Sequence, residues 1–248
     1  MSDMVAADDG FFFGFGAFET VAVENGRPVL LEEHLNRLDK ALRFLCIDVP
    51  KERVLERVRQ ALDSRPVDAP ERQALKVTVT SHNLVVALRS NTYVGEDYRK
   101  GFSCSVSSVR RNETSPFTFH KTLNYADCVY ERRRAREQCI DEPLFCNIQG
   151  HLCEGATTNL FIVRDGRVIT PSVAEGILPG IMRGFVMEHA DVEEAVVTVD
   201  DAISADEMFV TNSLLGIMPV SRFCNHGYES RTKAHELSVI YRDMVRNL

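Results

Sequence analysis

Three stretches of this chain concentrate polar side chains where neither a core nor a plain surface requires them. The first, His120-Lys121-Thr122-Leu123-Asn124-Tyr125, sets a lysine between a loop and a helix. Its amine can act as a nucleophile or carry a proton once the surroundings disfavour the charged form; left in water it is a solvated cation. The second runs Gly150-His151-Leu152-Cys153-Glu154-Gly155-Ala156-Thr157-Thr158-Asn159-Leu160-Phe161 and holds an acid beside glycine and two threonines. A glutamate in such company ordinarily ends a turn or caps a helix. The third, Glu175-Gly176-Ile177-Leu178-Pro179-Gly180-Ile181-Met182-Arg183, brings a glycine- and proline-containing loop up to the start of a helical run. Backbone N–H groups presented there form a natural anion seat. Taken singly, a surface lysine, a turn residue and an ordinary helix start account for all three.

The elements that must position these residues follow from patterning. Alternation in AFETVAVE predicts a strand over 17–24, then an Asn25-Gly26 turn and a short strand over 28–31. Leu35, Leu38, Leu42 and Leu45 recur at helical spacing behind Glu32 and Glu33, which predicts an amphipathic helix. Pro50 opens a second helix over 51–64, with Val54, Val58, Ala61 and Leu62 on one side. Strands are predicted over 74–81, 83–89 and 102–110, a charged helix over 125–139, and strands over 142–148, 159–164 and 168–170, the last two joined by an Asp165-Gly166 turn. A helix over 180–189, a strand over 196–199, a short helix or turn over 202–205, a strand over 208–212 and a helix over 234–247 complete the chain. This mixture predicts an α+β fold of two lobes, 1–112 and 121–248, joined by a polar connection over 113–120. GFFFGFG near the start has spaced glycines but no preceding strand, so it does not read as a dinucleotide loop.

Composition narrows the function classes. Hydrophobic residues at 44% and charged residues at 26% are those of a folded globular chain. The net charge of −7 denies it the broad basic field of a nucleic-acid binder, while leaving room for a local basic pocket. No apolar run approaches the roughly 18–20 residues that cross a bilayer, so no membrane partner is expected. Met1-Ser2-Asp3-Met4 lacks the basic-then-apolar pattern of a secretory signal. Seven cysteines without a C-x-x-C pair read as reduced thiols of a cytoplasmic protein. The histidines are scattered singly, and no metal site is expected.

Together and in order, six segments resemble one family: FGFGAFET at 13–20, HLNRL at 34–38, KTLNY at 121–125, EGATTNLF at 154–161, GILPGIMR at 176–183 and TNSLLGIMPV at 211–220. The sequence is similar to the fold-type IV pyridoxal-phosphate enzymes, which include branched-chain and D-amino-acid aminotransferases and 4-amino-4-deoxychorismate lyases. The resemblance implies a small N-terminal α/β lobe, a larger C-terminal lobe of mixed β structure, pyridoxal 5′-phosphate as cofactor and a homodimer. It implies that Lys121 is the Schiff-base lysine and that Glu154 pairs with the pyridine nitrogen, so that the ring can accept electrons. It implies that Arg37 clamps the cofactor phosphate with a fork geometry suited to its oxygens. The N–H groups of Ile181 and Met182 and the Ser213 hydroxyl would complete the phosphate cup; many relatives carry threonine at both the Met182 and the Ser213 positions. Tyr125 would bond the phenolic oxygen, and Leu178 would pack on the ring. The family usually carries a further pair of strands before the first motif, whereas this chain reaches Phe13 after twelve residues, and Phe15 stands where an acid is frequent.

Within the family, TNSLLGIMPV and GIMR look lyase-like, and the compact length suits the lyase and D-amino-acid branches. The resemblance therefore implies a lyase of folate biosynthesis that releases pyruvate and 4-aminobenzoate from aminodeoxychorismate. An amino-acid aminotransferase of D- or branched-chain type is the alternative. Either substrate is a small amino/carboxylate molecule. Its carboxylates need cationic or N–H partners, for which Arg110 is the first candidate, Arg111 the second and Asn212 a polar contact. His120 is either an orienter of Lys121 or a structural histidine.

Overall fold

The computed structural model describes residues 5–248; the Met1–Met4 segment, read above as no secretory signal, lies outside the described residues. The chain forms two compact units that do not follow a single cut in the sequence. One holds the described residues up to Thr92 together with His120–Asn124 and Leu248, the other Tyr93–Phe119 and Tyr125–Asn247.

The N-terminal unit comprises α1 (Asp9–Phe13), β1 (Ala17–Glu24), β2 (Arg27–Pro28), α2 (Leu31–Phe44), α3 (Lys51–Asp63), β3 (Arg72–Val79) and β4 (Leu84–Ser90). Its antiparallel sheet has the order β2-β1-β3-β4. Asn25 and Gly26 both take positive φ, 50° and 82°, and turn β1 into β2 as the sequence predicts. The short strand expected over 28–31 is instead Arg27–Pro28, because Leu30 adopts a left-handed φ of 51° and Leu31 already opens α2. Leu35, Leu38 and Leu42 of α2 are buried, as are Val54 and Val58 of α3 and Leu75, Val77 and Val79 of β3. The Phe-rich start forms α1. Asp8 caps it by accepting from the Phe11 N–H, and Gly14 ends it at φ 68°. Thr80, His82 and Asn83 also donate to Asp8 and tie α1 to the end of β3. The 121–123 segment extends the edge of β1: the Phe18 N–H donates to Lys121 O and the Leu123 N–H to Gly16 O.

The C-terminal unit comprises α4 (Gly95–Lys100), β5 (Phe102–Arg111), α5 (Ala126–Glu137), β6 (Glu142–Asn147), β7 (Leu152–Gly155), β8 (Asn159–Arg164), β9 (Arg167–Pro171), α6 (Ile181–His189), β10 (Val192–Ala195), α7 (Val199–Ile203), β11 (Glu207–Asn212), β12 (Gly216–Phe223), β13 (His226–Gly227) and α8 (Thr232–Arg246). Strand order β8-β11-β12-β5-β6-β7 closes on itself through a β7–β8 pairing, which makes a six-stranded barrel, with β9 and β10 extending from β8. Its core includes Leu144, Leu160, Met208, Met218 and Phe223. The α+β expectation holds.

Five of these helices and strands were not predicted: α1, α4, β7, β12 and β13. The strand expected over 196–199 is displaced to β10, which runs parallel to β9. The reason is local. Thr198 and Asp201 form a reciprocal cap that starts α7 at Val199, so the apolar run there enters a helix. Among the described residues no helix is long and apolar enough to cross a membrane, and all seven cysteines carry free thiols.

Candidate active site

The residues singled out from the sequence divide between the units. In the C-terminal unit they gather around Glu154. Register sets Glu154 of β7 opposite Asn159 of β8, and Asn159 opposite Thr211 of β11, so three polar residues cross the barrel wall in one row. Glu154 is only 5% exposed. Its Oε1 accepts from Arg111 Nη2 at 2.6 Å and its Oε2 from the Leu178 backbone N–H at 3.0 Å. Asn159 Nδ2 reaches the same Oε2 at 3.5 Å and donates to Leu178 O at 2.9 Å. Both backbone groups of Leu178 are thus held by this row.

That grip explains the loop before α6. A Cβ at residue 180 would overlap the Asn159 amide, so only glycine lets the chain pass this close. Gly180 is then the N-cap of α6, and helix geometry leaves the N–H groups of Ile181 and Met182 without intrahelical acceptors. Ser213 is half-buried in the β11–β12 turn. Asn212 shapes that turn, since its Oδ1 accepts from the N–H groups of Leu214 and Leu215 at 2.9 Å each.

Arg111 also lies over the Phe145 ring, 4.8 Å from its centroid. Alternation along β5 sends its neighbour Arg110 the other way. Arg110 is exposed and lies opposite Cys146 of β6 in the sheet register. Tyr125 donates its hydroxyl to Ala156 O at 2.7 Å. Burial, reinforced by Cys128 and Glu154, pushes its pKa well above the usual phenol range, so the group keeps its proton.

The N-terminal unit holds Lys121 and Arg37. Lys121 Nζ sits 4.5 Å from the centroid of the Phe18 ring, which also carries Lys76 Nζ at 4.9 Å. His120 stacks on Phe44 at 4.2 Å, and burial with nearby Lys40 lowers its pKa. Arg37 is paired with Glu19, Nε to Oε1 at 2.7 Å and Nη2 to Oε2 at 2.9 Å, and His34 Nδ1 lies 2.7 Å from the same Oε2.

Sequence reasoning did not single out Glu19, His34, Asn159 and Thr211, and it read Arg111 only as a substrate contact. A signal existed for Glu19: it interrupts the otherwise apolar row Ala17, Val21 and Val23 of β1. None existed for Thr211, whose place is fixed by register alone.

Comparison with known proteins adds an independent line. The model of the class IV amino-transferase family matches residues 16–223. The aminodeoxychorismate lyase of Bacillus subtilis is 28% identical over 268 residues, covering 97% of this chain and 89% of its own. A probable branched-chain-amino-acid aminotransferase of Thermotoga maritima is 30% identical over 217 residues, covering 85% of this chain and 78% of its own. The crystal structure of 4-amino-4-deoxychorismate lyase from Pseudomonas aeruginosa shares the fold with a TM-score of 0.85 at 23% identity, over 98% of this chain and 96% of that one.

The donor set fits pyridoxal phosphate. A pyridinium nitrogen needs a buried carboxylate, and Glu154 is one. A phosphate needs hydrogen-bond donors, and the first turn of α6 offers the backbone N–H groups of Ile181 and Met182. Arg111 Nε and Thr211 Oγ1 are buried polar atoms without a hydrogen-bond partner, a condition that favours a bound polar group. With the family match spanning most of the sequence, the chain belongs to the class IV amino-transferases, the fold-type IV pyridoxal-phosphate-dependent enzymes.

Proposed function

We propose that the protein is a 4-amino-4-deoxychorismate lyase releasing pyruvate and 4-aminobenzoate. One observation carries this reading: the alignment with the Bacillus subtilis aminodeoxychorismate lyase takes in 97% of this chain. The bulky Leu214 and Leu215 in the β11–β12 turn support it, since branched-chain transaminases more often have small residues there. A second reading, amino-acid aminotransferase, is favoured by the 30% identity to the Thermotoga maritima protein.

In either reaction the bound cofactor supplies an electron-withdrawing ring that stabilises negative charge on the substrate carbon bearing nitrogen. Lys121 provides the amine that holds the cofactor, and the same amine accepts the proton leaving that carbon. Glu154 keeps the pyridine nitrogen protonated, with Arg111, Asn159 and the Leu178 N–H fixing the carboxylate in place. Arg37, the Ile181 and Met182 N–H groups and the Ser213 hydroxyl bind the phosphate. Tyr125 addresses the phenolic oxygen and Leu178 the ring. Arg110 receives a substrate carboxylate, because Arg111 is engaged by Glu154, and Asn212 adds a polar contact. The enzyme works as a cytoplasmic homodimer.

Incubating the pyridoxal-phosphate-loaded protein with enzymatically made aminodeoxychorismate should yield 4-aminobenzoate and pyruvate in equal amounts. No 4-aminobenzoate, with D-alanine or leucine converting the cofactor to its amine form, would replace the lyase with the aminotransferase.

A further inference from the structure

One face of β1 carries Ala17, Glu19, Val21 and Val23, all buried, and Glu19 meets α2 on that face. The same face of β3 carries Leu75, Val77 and Val79. Alternation calls for an apolar residue at 19, yet the position holds an acid that is 1% exposed. Burial alone would raise its pKa; the charges and hydrogen bonds of Arg37 and His34 outweigh burial and hold the carboxyl well below the ordinary range. A buried ion pair brings little net stability over apolar packing of the same volume. What it does bring is direction. Two parallel N–H···O bonds fix the plane of a guanidinium that would otherwise turn about several side-chain torsions. His34 occupies Oε2 from the preceding turn of α2, so the carboxylate is itself held from two positions on one helix.

We propose that Glu19 is a positioning residue, setting the Arg37 guanidinium in the plane in which it receives the cofactor phosphate. This rests on the role assigned to Arg37 above. An arginine ordered beforehand loses less rotamer freedom when the anion arrives, so affinity should fall when the order is removed.

The test compares two ligands of the apoprotein, pyridoxal phosphate and pyridoxal, which lacks the phosphate, each titrated by absorbance. The ratio of their affinities isolates the phosphate contribution from the rest of the site. Glu19→Gln should lower that ratio by about tenfold or more, the scale of a lost hydrogen bond to a charged group, and leave pyridoxal affinity unchanged. Arg37→Ala should lower it at least as far, and adding Glu19→Gln to Arg37→Ala should lower it no further. Equal loss of both ligands in Glu19→Gln, or an unaltered ratio, overturns the proposal. An unaltered ratio in Arg37→Ala removes instead the role given to Arg37. If Glu19→Gln does not fold, Glu19→Asp decides: it keeps the charge one methylene short and should lower the ratio with a wild-type circular dichroism spectrum. A wild-type ratio in Glu19→Asp overturns the proposal equally.

Discussion

Each unit buries a glutamate against an arginine, and the two pairs are built in opposite senses. In the N-terminal unit Glu19 is 1% exposed; its side-chain partners, His34 and Arg37, come from one helix, and the Thr20 N–H of its own strand adds a bond to Oε2. In the C-terminal unit Glu154 is held from three places: Arg111 on β5, Asn159 on β8 and the backbone of Leu178 in the loop before α6. The proposed roles reverse with the architecture. Arg37 faces a ligand and Glu19 supports it; Glu154 faces a ligand and Arg111 supports it. A buried ion pair therefore does not say which partner acts. On these proposed roles, the acting partner in each pair is the one that the other holds in place.

The largest expected effect lies outside both pairs and sets the scale for them. Lys121→Ala should reduce turnover by about 10⁴-fold, the upper range for removing a proton-transferring group, with an unchanged circular dichroism spectrum. Retained activity in that variant would undo the reading in which both pairs serve a cofactor. Next is the support of the second pair. Arg111→Met leaves the Glu154 charge buried and uncompensated and should cost about 3–5 kcal/mol in denaturant unfolding. A loss within experimental error would mean that Asn159 and the Leu178 N–H suffice, and the contrast between the pairs would narrow.

A third measurement uses pH on the first pair. The folded-state pKa of Glu19 lies below its ordinary value of 4.5, so its stabilisation is complete above that pH and drains away as the pH falls. The gap in thermal midpoint between wild type and Glu19→Gln should therefore shrink between about pH 5 and pH 3. Asp8 and Asp201, each held down near 2, titrate in both proteins and cancel from the difference. A gap that widens on acidification would show that Glu19 is not ionised in the fold. The smallest effect is the control. Arg164 pairs with Asp201 where both side chains are more than a third exposed, and Arg164→Met should cost less than about 1 kcal/mol. A cost as large as that of Arg111→Met would remove burial as the basis of the comparison.

Local patterns made much of the fold legible. Strand β1 and strand β8 begin and end where their apolar and β-branched runs place them, and α2 follows its leucine spacing, because residue pattern and backbone geometry agree there. Strand β7 was missed because it is only four residues long, LCEG, with no β-branched or aromatic residue to mark it. Strand β12 was missed because Pro219 interrupts its pattern; the sheet accommodates it opposite Phe209. The site was legible as a set of motifs, and less so as a set of partners. Arg110 and Arg111 are equivalent as adjacent letters, and only the strand's alternation separates an exposed arginine from one bound to Glu154.

The sequence alone determined the α+β class, the family motifs and their order, since these depend on residue identity and short-range periodicity. Tertiary structure decided what each charged group answers to. Glu19 and Arg37 are 18 residues apart, Arg111 and Glu154 are 43 apart, and the row through Glu154, Asn159 and Thr211 exists only because three strands align in register. Such contacts depend on long-range pairing, whose geometry no local pattern encodes.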